Sequence, residues 1–293
     1  MNFADRLAKA IKDKGSPICV GLDPHFELLP EEFKKQKPFE AIWNFNRAIL
    51  DVISPLVPIV KPQLAFYERW GVDGIRAFEA TIKYAKELRL LVLVDGKRND
   101  IGSTAQAYAE AYLSSKAGGF GAYIDALTVN AYLGSDGIKP FLEICKKEDK
   151  GIFVLVKTSN PSSGELQDLE MKNGGTVKEQ LARNLALWGN DLVGKSGYSS
   201  LGAVVGATYP EDLQNLRKLM PKQFILIPGF GAQGATAKDL QACFDQEGGG
   251  AIVNSSRGIT FAYREKEYAG MNFAEAAQRA VEKMREELEK TRS

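Results

Sequence analysis

Eight short apolar runs recur along the chain, each followed by a polar or glycine turn and then by a helical pattern. They are Pro17 to Asp23 (PICVGLD), Ile59 to Phe66 (IVKPQLAF), Leu91 to Lys97 (LVLVDGK), Ala126 to Tyr132 (ALTVNAY), Gly151 to Ser159 (GIFVLVKTS), Ala203 to Thr208 (AVVGAT), Phe224 to Phe230 (FILIPGF) and Gly250 to Arg257 (GAIVNSSR). Continuous apolar runs suit strands buried on both faces, and their alternation with helices indicates a parallel sheet covered by helices. Eight such units in 293 residues, with no linker rich in Pro, Gly or Ser between halves, match an α/β fold of the (β/α)8 TIM-barrel type, a single domain over 1–293. An open doubly wound sheet is the runner-up. Phe3, Leu7 and Ile11 form one helical stripe ahead of the first strand, placed to plug the barrel floor. From Asn272 onward, Phe273, Ala277, Val281, Met284 and Leu288 recur at helical spacing, which predicts a docked outer helix rather than a partner-binding face.

Composition then removes whole reaction classes. The 38 basic and 37 acidic residues leave a net charge of +1, so there is no basic surface for nucleic acid, and any anionic ligand must be held by local chemistry. The single histidine, His25, rules out a multi-histidine metal site, and just after Asp23-Pro24 it reads as a surface loop residue. Acid and base work therefore falls to Asp, Glu or Lys. Cys19, Cys145 and Cys243 are scattered without a CxxC spacing, which fits a reducing cytoplasm. The N-terminus carries charge through its first turns and no apolar run approaches the ~18 residues of a membrane span, so the chain reads as soluble, cytoplasmic and unprocessed.

In a barrel of this kind the chemistry sits at the C-terminal ends of the strands. Asp23 ends the first predicted strand, Lys61 lies in the second, Asp95 and Lys97 end the third, Thr128 and Asn130 lie in the fourth, Ser159 ends the fifth and Arg257 ends the eighth. Charged side chains inside such strands are costly unless paired. Asp95 and Lys97, two apart, leave the same face of a strand roughly 6 to 7 Å apart and can meet at one point. Asp100 follows at a helix start, where a plain N-terminal cap is the alternative role. For Lys97 the plain alternative is a solvated turn lysine. Gly229-Phe-Gly231-Ala-Gln-Gly234 matches the GxGxxG dinucleotide pattern literally, but it falls in the seventh unit, and no acidic residue closes the next strand, which ends Asn254-Ser-Ser-Arg257. A phosphate site built from the loops after strands seven and eight, with Arg257 as a bidentate partner, accounts for it better than a glycine turn beside a surface arginine.

The segment Asp95-Gly-Lys97-Arg-Asn-Asp100-Ile101-Gly-Ser-Thr104 resembles the DxKxxDIxxT signature of the orotidine 5'-phosphate decarboxylase family, in the form of its longer prokaryotic subgroup. Gly21-Leu-Asp23-Pro, Lys61-Pro-Gln, Leu127-Thr-Val, Thr158-Ser159-Asn-Pro161, Pro228-Gly-Phe-Gly-Ala-Gln233-Gly and Ser256-Arg257-Gly follow in the family's order over nearly the whole chain. Related sugar-phosphate decarboxylases and synthases share DxKxxD; Lys61, Ile101, Thr104 and the Ala-Gln-Gly loop narrow the likeness. The resemblance implies a carboxy-lyase converting orotidine 5'-phosphate to UMP, the last step of de novo UMP synthesis, with no cofactor and no metal. It further implies a homodimer in which Lys61, Asp95, Lys97 and Asp100 form a charged catalytic network, with Asp100 and Thr104 crossing from the other subunit. Asp23 would bind the ribose and Ser159 the pyrimidine. Gly231, Gln233 and Arg257 would hold the phosphate, and Ile101 and Thr128 would join the substrate contacts. Asn130 stands where many members carry another residue, and its role stays open. Gly-rich loop seven and the long loop after strand five, from Ser162 to Gly175, are the candidate lids.

The residue types suit that chemistry. Loss of CO2 from C6 leaves electrons in an sp2 orbital that the ring delocalises poorly, and the sequence carries no thiamine or pyridoxal signature to act as a sink. A cationic lysine beside C6 stabilises the developing carbanion and then protonates it, while Asp95 disfavours the substrate carboxylate. Three other readings make different demands. A barrel lyase working through an enediolate would need Mg2+, and a non-catalytic nucleotide-binding barrel would lack the charged network. A Schiff-base aldolase using Lys97 or Lys157 would need a mainly apolar lysine pocket.

Overall fold

The computed structural model describes residues 1–207, 210–229 and 237–292. Eight strands, β1 (Ile18–Leu22), β2 (Ile59–Pro62), β3 (Leu91–Arg98), β4 (Ala126–Val129), β5 (Gly151–Lys157), β6 (Ser199–Val205), β7 (Gln223–Ile227) and β8 (Ala251–Ser255), close into a barrel in chain order. Every neighbouring pair is parallel, including β1 with β8. The open-sheet alternative is therefore set aside. β6 starts at Ser199, ahead of the predicted Ala203, because Ser199 and Ser200 are buried and the strand is not marked by apolar residues alone. β8 stops at Ser255, and Arg257 opens the short helix Arg257–Thr260 instead of ending the strand.

Strand alternation sorts the side chains into two apolar layers. Ile18, Val20 and Leu22 of β1 and their counterparts point outward into the layer shared with the helices. Cys19, Ile59, Leu93, Ala126, Phe153, Phe224 and Ile252 point inward and pack on Phe3, Ala4, Leu7 and Ile11 of helix Phe3–Lys14, which plugs the floor as expected. Gly151 makes room for that plug: a Cβ there would stand 2.2 Å from the ring of Phe3. The last helix, Phe273–Arg292, buries Phe273, Ala277, Val281, Met284 and Leu288, with Phe273 edge-on to Phe33 at 5.4 Å, so the predicted stripe is a docked face.

One ionic cluster belongs to the floor. Asp125, just before β4 and 3% exposed, accepts hydrogen bonds from Lys86 Nζ at 2.7 Å, from the Val92 N–H at 2.9 Å and from Arg6. Burial opposes its ionisation, yet Lys86 and Arg6 outweigh that and hold the carboxyl below its ordinary value. It ties the plug helix and the helix Gly71–Glu87 to the strands.

Candidate active site at the barrel mouth

Reading each strand from floor to mouth, the inward positions turn polar: Cys19 then Gly21 then Asp23, Ile59 then Lys61 then Gln63, Leu93 then Asp95 then Lys97, Ala126 then Thr128. The register sets Gln63 of β2's extension beside Asp95. Asp95 is the centre of the group. Its Oδ2 accepts from Lys61 Nζ at 3.1 Å and Gln63 Nε2 at 2.9 Å, and its Oδ1 accepts from Lys97 Nζ at 2.7 Å and the Thr128 hydroxyl at 2.8 Å. Thr128 Oγ1 in turn accepts the Lys97 backbone N–H at 3.0 Å. Lys61 is 4% exposed and Asp95 8%, so both charges are taken out of water and neither would be tolerable alone.

Their electrostatics follow from that pairing. Burial opposes ionisation of Asp95, but the ammonium groups of Lys61 and Lys97 hold its carboxyl far below the usual carboxylate range. Burial also works against the charge on Lys61, and Asp95 with Asp23 outweighs it, raising Lys61 above the ordinary lysine value. Asp95 and Lys61 therefore stay ionised through neutral pH. Lys97 is the member that faces out, with 47% of its side chain exposed.

The other expected residues fall as follows. Asp23 is half-buried at the end of β1, and its Oδ1 is buried with no protein hydrogen-bond partner. Ser159 is half-buried beyond β5 and lies so close to Gly206 that a Cβ on that glycine would sit 3.0 Å from it. Asn130 follows β4 directly, and its Oδ1 accepts the Tyr132 N–H at 2.9 Å, a local turn. Arg257 is exposed and lines a cavity of about 600 Å³ together with Arg264, Lys283 and Glu287, a cavity that Lys61, Asp95 and Lys97 do not line. Gly231 and Gln233, and with them most of the predicted loop seven, lie outside the described residues. Asp100 is not brought to Lys97 within the chain: its Oδ1 accepts the Ile101 N–H at 2.8 Å. Nor does it cap the helix Gly102–Leu113, whose N-cap is Ile101 with no side-chain bond. Ile101 is 54% exposed, and Thr104 is exposed on the first turn of that helix.

The structure departs from the sequence reading at three further residues. Gln63 joins the array, and its signal was available, since it lies two residues beyond Lys61 on the same face. Lys157, weighed as an aldolase lysine, is buried with its Nζ on both carboxylate oxygens of Asp168 at 2.8 and 2.7 Å, a charged clasp rather than an apolar pocket. His25 is also less of a surface residue than expected: its ring packs on Phe66 at 4.2 Å between centroids, with 23% of its side chain exposed. Among the described residues, no group of three His, Cys, Asp or Glu side chains is placed to hold a metal ion, and no helix is long and apolar enough to cross a membrane.

A parallel eight-stranded barrel with a lysine–aspartate–lysine array at its C-terminal mouth has the form of a barrel enzyme, its charged groups lying where such enzymes keep their sites. Comparison with known proteins narrows this class. The profile of the Orotidine 5'-phosphate decarboxylase / HUMPS family matches residues 16–271, and the chain belongs to that family. It is 46% identical over 300 aligned positions to the orotidine 5'-phosphate decarboxylase of Rhodopirellula baltica, covering 98% of this chain and 99% of the other. It is 41% identical to the orotidine 5'-phosphate decarboxylase of Caldicellulosiruptor saccharolyticus, covering 98% of both. Among solved structures, the OMP decarboxylase of Leishmania donovani superposes with a TM-score of 0.78 at 29% identity, covering 100% of this chain and 99% of that one. With such relatives matching end to end, the chain is an enzyme of the carboxy-lyase class.

Proposed function

We propose that this protein decarboxylates orotidine 5'-phosphate to UMP without a cofactor, with Lys97 delivering the proton to C6. The observation that carries the reading is Asp95 held between Lys61 and Lys97 at the open end of the barrel. Asp95 is fixed as an anion where the substrate carboxylate would lie, so the carboxylate is disfavoured there and the departing neutral CO2 is not. The C6–CO2 bond breaks, its electron pair stays on C6, and the exposed Lys97 ammonium stabilises that charge and then transfers a proton to it. Lys61, Gln63 and Thr128 fix the carboxylate that orients Lys97, so the array is organised before the reaction begins. Thr128, expected among the substrate contacts, gives its hydroxyl proton to Asp95 in this arrangement.

Substrate binding would use Asp23, whose orphaned Oδ1 needs a donor such as a ribose hydroxyl. Ser159 and Ile101 are assigned to the pyrimidine side, and Arg257 with Gly231 and Gln233 to the phosphate. Binding energy gathered at the phosphate, remote from C6, would close the loops and complete the charged array. Asp100 and Thr104 are assigned to the partner's site in a homodimer. The support is that Asp100 has no ion pair with Lys97 among the described residues, while Ile101, Tyr132 and Leu133 are exposed beside it, at 54%, 72% and 44%. A two-fold interface there completes both sites at once. The reading keeps the protein in the cytoplasm and gives it neither a nucleic-acid nor a membrane partner.

The deciding assay follows the ultraviolet absorbance of orotidine 5'-phosphate with purified protein, with and without EDTA. Equal loss of substrate in both, with UMP formed, is the expected result. Activity that disappears with EDTA would replace this reading with the Mg2+-dependent enediolate chemistry.

A further inference from the structure

Lys97 stands on strained backbone. Its φ is +45°, the left-handed region that a residue with a Cβ enters at a cost of roughly 1–2 kcal/mol. The strain comes from an irregularity in the ladder: β3 pairs with β4 in register up to Val94 with Leu127, then resumes only at Arg98 with Val129. The bulge re-aims Lys97 toward Asp95, and something has to hold it. Thr128 takes the Lys97 N–H from inside the barrel. From outside, one residue reaches across the bulge.

That residue is Arg98. Its Nη1 donates back to the Gly96 carbonyl at 3.4 Å, and its Nη2 donates to Glu68 and to the Tyr112 hydroxyl at 2.9 Å. The guanidinium carbon lies 5.2 Å from the Tyr112 ring centroid and 5.6 Å from that of Tyr108, within cation–π range. Glu68 ends the short helix after β2, the strand that supplies Lys61 and leads into Gln63. Tyr108 and Tyr112 belong to the helix Gly102–Leu113, which begins just after Asp100. A single planar cation thus braces the three segments that carry Lys61, Lys97 and Asp100.

We infer that Arg98 is a positioning residue for the proton donor: it holds the bulge that keeps Lys97 left-handed and its Nζ on Asp95, without touching substrate. The inference rests on the reading of Lys97 as the proton donor. A lysine cannot take this place fully, because only the guanidinium fork meets Gly96, Glu68 and Tyr112 together.

The test compares Arg98→Met and Arg98→Lys with the parent in kcat, KM for orotidine 5'-phosphate, thermal unfolding and crystal structure. Arg98→Met is expected to lower kcat per folded molecule by roughly tenfold to a hundredfold, the scale of a ~1 Å misplacement, while KM changes by no more than about threefold. Arg98→Lys, which keeps the Glu68 ion pair, should fall between. In the crystal, Lys97 of Arg98→Met should leave φ +45° or its Nζ should leave Asp95. A lowered unfolding temperature with kcat per folded molecule unchanged would overturn the inference, as would an undisturbed Lys97. Lys97→Ala serves as the separate control: if it keeps kcat within about tenfold, equivalent to ~1.4 kcal/mol, the proton-donor reading fails and takes the Arg98 inference with it, whereas an inactive Lys97→Ala beside a fully active Arg98→Met sinks the Arg98 inference alone.

Discussion

Two buried aspartates, each gripped by two cations, stand at opposite ends of the same barrel. Asp95 at the mouth holds Lys61 and Lys97; Asp125 at the floor holds Arg6 and Lys86. In both, burial opposes the charge and the paired cations override it. What differs is where the partners come from. Asp125 draws its cations from helices outside the barrel, so its bonds fasten the plug helix and an outer helix to the sheet. Asp95 draws its cations from the strands themselves, so its bonds add little cross-linking and instead fix an ammonium in front of open space. Lys97 reaches that place through a bulge and a left-handed φ, strain that the floor cluster does not carry at Arg6, Lys86 or Asp125. Under the proposed function, like chemistry serves stability at one end and reactivity at the other, in line with the division of labour in barrels of this kind.

The largest expected effect separating the ends is complementation. Lys97→Ala and Asp100→Ala proteins, each nearly inactive alone, are unfolded together and refolded at equal concentration. Random pairing makes about half the dimers mixed, and each mixed dimer has one site with both native residues, so roughly a quarter of the parental activity should return. No recovery, with mixed dimers shown to form, would place Asp100 outside the partner's site. No floor variant can complement in this way.

Next in size, Arg257→Ala is expected to lower kcat/KM for orotidine 5'-phosphate by roughly a hundredfold or more, as for loss of one partner of a charge-assisted pair. Turnover of the nucleoside lacking phosphate should barely change. Equal damage to both substrates would make Arg257 a structural residue.

At the floor, Asp125→Asn should cost about 3–5 kcal/mol of unfolding free energy in urea, because it leaves two cations without their buried anion. The kcat per folded molecule should match the parent, and a loss of both would blur the contrast between the two ends. The smallest effect is the acid limb of stability. A carboxyl whose pKa is lower folded than unfolded stabilises the fold above its unfolded value, ~3.9 for Asp and ~4.3 for Glu, and that contribution is lost as pH falls through the folded value. Asp125 and Asp95 are both lowered. For Glu148 burial raises the pKa, but the Ser115 N–H and the Ser114 and Ser115 hydroxyls together outweigh it and bring it down to about 2. Urea midpoints should hold between pH 7 and 5 as far as these groups decide, and drop by about pH 3, with a smaller drop in Asp125→Asn. Identical drops in parent and variant would remove Asp125 from that balance.

Much of the mouth was legible because it is written at period two. Asp23, Lys61, Asp95, Lys97 and Thr128 lie on inward positions of consecutive apolar strands, where a charge has to be explained. Gln63 obeyed the same period and was passed over, since a neutral amide raises no alarm. The bulge at Lys97 could not be read, because an irregular ladder leaves no periodic trace, and so the role of Arg98 was hidden with it. The floor cluster was silent for another reason: Arg6 and Asp125 are 119 residues apart, Lys86 and Asp125 are 39 apart, and no local pattern links them. Asp100 could be assigned a place only through resemblance, since the partner proposed for it would be on another chain.

The most direct measurement removes one matched cation from each cluster, Lys97→Ala at the mouth and Lys86→Ala at the floor, and records kcat and unfolding free energy for both. Each variant leaves its aspartate one cation, Lys61 or Arg6. Lys97→Ala should lower kcat by on the order of a thousandfold or more while changing stability by no more than about 1 kcal/mol, since that ammonium is half-exposed. Lys86→Ala should keep kcat and lose roughly 1–3 kcal/mol of stability. If Lys97→Ala instead kept kcat within about tenfold of the parent, equivalent to ~1.4 kcal/mol, the mouth cluster would be a second structural fastening and its assignment to the chemistry would be wrong.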